Sequence, residues 1–398
     1  MLWDNYVLRS GDEAHELWDD LYSDGSTSLL YIAGRGFDTR GCTVLETFLD
    51  NIRSTNGTIS SAELILVDFA EYELDSELVK LTEENERRIR ETFSTVGTSD
   101  PRMVNVGRTG AGEHDINSTI ALREGAKELV SHVGKQTDIV LDISSLPRVV
   151  YLSLMAAILR KLLNGFESPD ELVAGGRNFQ ILVAEDTVLD SQIRSSEPSQ
   201  EIVYVPGYSS AFHAESMTGW PAVWLPILGE NRLPQFDYVK HEVDSTTLEV
   251  CPVLPHPSRN FRRGDQLLKE FRKPLFDDKL FTPSSNILFA HESNPFEAYR
   301  QIYQAIERYC ESMAILDGCR IAVTPFSSKL ITLGAGLACL EKHMNYTAIG
   351  ANNIVSIPYA EPTRYHVSPE AVVEATPDIT SLLLTGSAYR VVTEDWET

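Results

Sequence analysis

The chain has 398 residues, enough for two ordinary cores at roughly 100–200 residues per domain. Hydrophobic residues make up 42% and aromatic residues 9%, which excludes wholesale disorder. With 58 acids against 34 bases the formal net charge is −24, a field that repels polyanions and disfavours binding to DNA or RNA polymers.

A small anion stays compatible with that charge wherever arginines and helix N-termini converge. The five cysteines, Cys42, Cys251, Cys310, Cys319 and Cys339, form no Cys-x-x-Cys pair, and their odd number argues against a disulfide framework. A reducing, cytoplasmic setting is expected. No apolar stretch approaches the ~20 residues of a membrane span, and the first residues lack the blocks of a signal peptide. No membrane partner is expected.

Short apolar, β-branched runs alternate with amphipathic stretches, the pattern of parallel α/β folding. The first-half strands are predicted at Leu29–Ala33, Glu63–Val67, Met103–Val106, Asp138–Asp142 and Phe179–Ala184. Helices are predicted at Asp75–Phe93, Ile116–His132 and Val149–Leu163, the last nearly all apolar and hence packed on more than one side. The serine-rich segment Gln192–Gln200 reads as a linker. Beyond it, strands are predicted at Ile202–Val205, Ala222–Ile227, Leu248–Val253, Asn286–Ala290, Arg320–Val323 and Ile354–Ile357. Helices follow at Pro295–Ala314 and Lys329–Lys342, while Pro206–Trp220 and Pro252–Gly264 look like loops. The expected fold is α/β, two Rossmann-like parallel-sheet units in tandem, with domains at 1–191 and 201–398.

Five stretches carry residues suited to ligand chemistry. The first is Gly34-Arg35-Gly36-Phe37-Asp38-Thr39-Arg40, directly after a strand and before a helix. Its glycines, Gly34 and Gly36, let backbone N–H groups approach a ligand, and Asp38 or Arg40 could orient a ribose or phosphate. A tight βα turn with Asp38 as a helix cap explains the same residues without a ligand. The second is Asp142-Ile143-Ser144-Ser145-Leu146-Pro147-Arg148. Here a strand ends in an acid, hydroxyls from Ser144 and Ser145 sit in the turn, and Arg148 stands beside the start of a helix. The third, Thr324-Pro325-Phe326-Ser327-Ser328-Lys329, repeats that arrangement in the second half, with Ser327, Ser328 and Lys329 in the matching roles. Simple helix capping is the alternative for both.

The fourth stretch, Ala290–Arg300, is expected to occupy the place that Gly34–Arg40 holds in the first half. Glu292, Asn294 and Arg300 are its binding candidates; His291 and Glu292 are adjacent and on a strand would face opposite ways. The fifth holds Arg259, Arg262 and Arg263, a cluster suited to phosphate or to the chain's own carboxylates. Walker A, Gly-x-Ser-x-Gly, His-Glu-x-x-His and zinc-type Cys/His spacings are all absent, so no metal site and no catalytic residue is assigned.

Two resemblances follow from these motifs. Residues Gly34–Arg40 resemble the S-adenosylmethionine loop of the leucine-carboxyl-type methyltransferases, Gly-x-Gly-x-Asp-Thr-Arg. That resemblance implies S-adenosylmethionine as cofactor, with Asp68 accepting from its ribose hydroxyls. The pattern strand, Asp-x-[Ser/Thr]-x-x-x-[Arg/Lys], apolar helix at Asp142–Arg148, echoed at Thr324–Lys329, is similar to the ligand motif of CARF domains. CARF domains are Rossmann-like sensors of cyclic oligonucleotides, and the related SAVED sensors of prokaryotic antiviral signalling fuse two CARF-like units. This resemblance implies that Ser144, Ser145, Arg148, Ser327, Ser328 and Lys329 line a site for a small nucleotide-like ligand. No cofactor is expected in this reading, and with no attached nuclease, protease or membrane segment visible, output is expected to come from a protein partner or effector, or from assembly. The enzyme alternative extends to another nucleotide-processing activity in the same loops, and a structural scaffold subunit is the third expectation.

Overall fold

A computed structural model describes residues 1–390 apart from 24–25, 56, 70–72, 98–99, 108–116, 196–197, 200, 218, 245–246, 278–283 and 349–351. Two compact units emerge. Leu2–Asn117, Glu124–Arg194 and the chain from Tyr365 onward make one, and Ser118–Arg123 with Ser195–Arg364 make the other.

The first unit is built on strands Val7–Ser10 (β1), Ser26–Arg35 (β2), Thr58–Asp68 (β3), Arg102–Asn105 (β4), Asp138–Asp142 (β5) and Asn178–Glu185 (β6). Its helices are Asp12–Tyr22 (α1), Arg40–Ser54 (α2), Ser76–Phe93 (α3), the part of Ser118–His132 (α4) from Glu124, and Arg148–Leu162 (α5). Strands β2 to β6 run parallel in the order β4-β3-β2-β5-β6, which is 3-2-1-4-5 when they are counted along the chain. Every residue of β5 is buried, as its unbroken apolar run requires of a strand covered on both faces. Alternate residues of β2 divide the work: Leu29, Tyr31 and Ala33 join a core with Phe48 and Leu49 of α2 and Ile89 and Phe93 of α3.

The late strand Asp378–Thr385 pairs antiparallel with β6, and β1 pairs antiparallel with that late strand in turn. This corrects the expected domain boundaries. The tail of the anticipated second domain belongs to the first sheet. Its anchor is the fully buried Gln180 of β6. That side chain accepts from Trp18 Nε1 and Ser381 Oγ, and donates to Tyr22 Oη at 2.6 Å. A buried amide so fully paired adds specificity to the docking of a strand two hundred residues downstream.

The second unit carries its own parallel sheet, in the order Leu288–Ala290, Val253–Pro255, Ala222–Ile227, Cys319–Pro325, Asn353–Ser356. Thr247–Val250 pairs with the start of Ala222–Ile227, and Val253 meets its end at Ile227. Thr247–Pro255 is therefore one strand interrupted at Cys251-Pro252, where proline has no N–H to give the ladder. The strand predicted at Leu248–Val253 is real but broken, and the loop predicted at Pro252–Gly264 contains its second piece. Counted this way, the sheet order is again 3-2-1-4-5.

Candidate functional site

In an open parallel sheet the crevice for a ligand opens at the carboxyl ends of the two strands flanking the reversal of strand order. In the first unit those strands are β2 and β5, paired through Ala33↔Asp142. In the second they are Ala222–Ile227 and Cys319–Pro325, paired through Ile227↔Pro325. The residues that leave these four ends form the candidate site of each unit.

In the first unit the two loops are joined to each other. Ser145 Oγ donates to the carbonyl of Gly34 at 3.0 Å. A Cβ on Gly34 would stand 2.7 Å from Ser145 Oγ and 2.8 Å from Leu146 Cδ2, so the glycine serves a close approach of chain to chain. Gly36 is less confined, its nearest neighbour being the Ser145 carbonyl at 3.5 Å. Asp142 is fully buried and accepts from Ser144 N at 2.8 Å and from Tyr31 Oη at 3.2 Å. Burial and the neighbouring Asp142 carboxylate both push the Tyr31 hydroxyl up, so it stays a donor. Ser144 Oγ accepts from Ala184 N at 3.0 Å. Asp142 and Ser144 thus knit β2, β5 and β6 together inside the protein, while Ser145 and Arg148 are half-exposed at the surface end of the same turn.

Asp38 and Arg40 are brought together as well. The Arg40 guanidinium grips both oxygens of Asp38, from Nε at 3.0 Å and Nη2 at 2.7 Å, and reaches Asp190 through Nη1 at 2.8 Å. Burial disfavours its charge, but the two carboxylates outweigh that and hold the arginine firmly protonated. Asp68, which ends β3, lies in register with Arg35 and accepts from its Nη1 at 3.3 Å. Arg35 Nε also binds Glu86 at 2.6 Å. The loop beyond β2 is therefore a lattice of ion pairs.

The second unit repeats the tight approach. A Cβ on Gly229 would fall 2.2 Å from the Phe326 carbonyl oxygen and 2.8 Å from Ser327 Cα. The counterpart of Gly34–Arg40 is thus Leu228–Arg232, and not the expected Ala290–Arg300 stretch, which follows the third strand of the sheet. Sequence reading overlooked it because one glycine after Ala222–Ile227 is a weak signal; the shared feature is strand, Gly, then an acid or a base. Ser327 is buried, whereas Ser328 and Lys329 are half-buried, with Lys329 the first residue of helix Lys329–Ala348. The Ser328 carbonyl accepts from Thr332 Oγ1 at 2.7 Å.

Of the remaining predicted residues, Arg263 and Glu292 are brought together. The Arg263 guanidinium bridges Glu230, through Nε at 2.5 Å and Nη2 at 2.7 Å, and Glu292 through Nη1. Glu292 also accepts from Arg259 N at 2.8 Å. Burial would raise the Glu230 carboxyl, yet the guanidinium prevails and holds it below the usual range. Arg263 thus belongs to the chain's own carboxylates, while the Arg259 and Arg262 side chains are exposed. Asn294 caps helix Pro295–Met313 by accepting from Phe296 N and Glu297 N, and Arg300 pairs with Glu297 one turn back at 2.8 Å. Among the described residues, no group of three His, Cys, Asp or Glu is placed to hold a metal. No helix of the described residues is long and apolar enough to cross a membrane.

No family model and no curated protein matches the chain. Among solved structures, it is similar to one from Listeria monocytogenes assigned as a UDP-N-acetylglucosamine 2-epimerase. The identity is 10%, over 76% of this chain and 75% of that one, with a TM-score of 0.22. A score so low carries no argument about this chain; the Rossmann-like α/β character rests on the two sheets themselves.

Proposed function

We propose that this protein binds a nucleotide or another small phosphorylated signal and passes the event to a separate effector, in the manner of prokaryotic antiviral sensors. One observation carries the reading. In both units a hydroxyl-bearing turn leaves the fourth parallel strand beside a glycine near the carboxyl end of the first, Gly34 or Gly229, and a half-exposed cation, Arg148 or Lys329, opens the helix that follows. A helix N-terminus together with a cation suits a phosphate. Ser145, Arg148, Ser328 and Lys329 are the contact residues in this reading. Asp142, Ser144 and Arg40 support the turns.

A second reading has its own observation. Asp68 sits in register with Arg35, beside Gly34–Gly36, where the resemblance to methyltransferases wants the acid that meets the ribose of S-adenosylmethionine. One experiment separates the two. Thermal shifts are measured with mononucleotides, cyclic oligonucleotides and S-adenosylmethionine. A ligand at 100-fold excess over Kd stabilises by about 2.7 kcal/mol. The sensor reading expects a shift with phosphorylated ligands that Arg148→Ala or Lys329→Ala removes. A shift with S-adenosylmethionine alone, lost in Asp68→Ala, supports the methyltransferase. No shift, alongside a stable complex with a partner, sinks both and leaves a scaffold.

A further inference from the structure

The second unit holds a polar cluster between helices Pro295–Met313 and Lys329–Ala348 that none of the motifs above includes. Lys342 is buried, pairs with Glu307 at 2.8 Å, and lies over the Tyr303 ring at 3.8 Å. Beside it Cys310, in the last turn of its helix, meets Cys319, the first residue of strand Cys319–Pro325, with the sulfurs 3.5 Å apart.

We propose that Cys310 and Cys319 are a reversible redox pair, oxidised to a disulfide by a small hydroperoxide with Cys310 as the attacking thiol. The geometry is the first support. The Cys319 thiol donates to Cys310 Sγ, and closing to the ~2.0 Å of a disulfide needs the sulfurs to approach by roughly 1.5 Å. Accessibility is the second. Cys310 is 5% exposed and Cys319 0%, so a molecule the size of hydrogen peroxide meets Cys310 first.

Electrostatics is the third support. The Cys319 hydrogen bond, then the Tyr346 hydroxyl and the Lys342 charge, hold the Cys310 thiol below its ordinary value despite burial and Glu307. Burial pushes Cys42 up to about 12 and Cys251 up to about 11, and raises Cys339 further. A thiolate is the nucleophile, so these cysteines are inert by comparison.

The chemistry balances without a further reagent. Cys310 thiolate attacks one peroxide oxygen, the O–O bond breaks, and the leaving hydroxide takes a proton to become water. Cys310 is then a sulfenic acid. Cys319, losing its proton to the departing oxygen, attacks the Cys310 sulfur; the S–O bond breaks, water leaves and the S–S bond forms. Two thiols lose two electrons in all, and one peroxide becomes two waters. An external dithiol reverses the step by exchange. The bond would staple the helix end to the strand that leads to Phe326–Lys329.

The test treats the full reduced chain with hydrogen peroxide, alkylates free thiols under denaturing conditions, and maps peptides by mass spectrometry. The expected result is a linked Cys310–Cys319 peptide, two hydrogens lighter, formed before Cys42, Cys251 or Cys339 is modified and reversed by dithiothreitol. In Cys319→Ser, dimedone should trap a sulfenic acid at Cys310. Tyr346→Phe should slow oxidation, because losing the Tyr346 hydroxyl raises the Cys310 thiol and lowers its thiolate fraction, an effect only partly offset by the greater nucleophilicity of each thiolate. Thermal midpoints of the reduced variants check that each is folded. If the linked peptide never forms at any dose short of unfolding, these are two packed thiols and the proposal is overturned. An unchanged rate in Tyr346→Phe would overturn the role of Cys310 as the attacking group.

Discussion

Adding one methyl group to Gly34 or Gly229 probes the two switch points directly. In Gly34→Ala the new Cβ meets the ends of two side chains, Ser145 Oγ at 2.7 Å and Leu146 Cδ2 at 2.8 Å. Those ends can rotate away, at the price of the hydrogen bond from Ser145 to the Gly34 carbonyl. Overpacking costs roughly 1–3 kcal/mol and a lost hydrogen bond about 1 kcal/mol, so the change should cost about 2–4 kcal/mol. In Gly229→Ala the obstacle is backbone, the Phe326 oxygen at 2.2 Å and Ser327 Cα at 2.8 Å, and cannot rotate aside. That variant should lose at least about 3 kcal/mol. Gly36→Ala, whose nearest contact is an ordinary 3.5 Å, should stay within about 1 kcal/mol of the parent. Gly264→Ala, with open space around it inside helix Arg263–Glu270, should gain about 0.4–1 kcal/mol. Urea unfolding followed by circular dichroism, with hydrogen exchange to assign each transition to its unit, gives all four values. Ser145→Ala placed in the Gly34→Ala background should recover part of the loss, with a coupling of about 0.5–3 kcal/mol. If Gly34→Ala costs no more than Gly36→Ala, or Gly229→Ala less than Gly34→Ala, the chain-against-chain explanation is wrong.

Two further outcomes follow from the ion pairs and caps. Burial would raise the Glu86 carboxyl, but hydrogen bonds from Arg35 and Arg90 hold it below its ordinary value in the folded chain. A depressed folded value stabilises fully above the unfolded pKa of about 4.3 and is lost as pH falls through the folded one. Urea midpoints measured from pH 6 down to 3 should therefore fall less steeply in Arg35→Met than in the parent; parallel curves would show that the pair contributes nothing. Asn294→Ala removes the acceptor for Phe296 N and Glu297 N and should cost about 1 kcal/mol in urea unfolding, against no change if solvent replaces the cap.

Local chemistry made the parallel strands legible. Runs such as Ile139–Leu141 and Ile321–Val323 are apolar throughout because both faces of the sheet are covered, and that composition needs no knowledge of neighbours. The caps were legible for the same reason: Asn294 before Pro295 acts on N–H groups two and three residues away. What the chain alone did not disclose are pairings between residues far apart in sequence. Strand Asp378–Thr385 joins β6 across some two hundred residues through Gln180, and nothing local in either segment names the other. The same limit governs the site. Asp142, Ser144 and Arg40 have the residue types of a ligand pocket, but whether a carboxylate or guanidinium faces a ligand depends on which partner the fold brings within hydrogen-bonding reach. Tertiary structure supplied Tyr31, Ala184 and Asp190 as those partners, and it placed Cys310 against Cys319 where spacing showed only an unpaired set. Composition and periodicity determine which surfaces must be buried. Only the assembled sheet decides which polar atoms are used up in burying them.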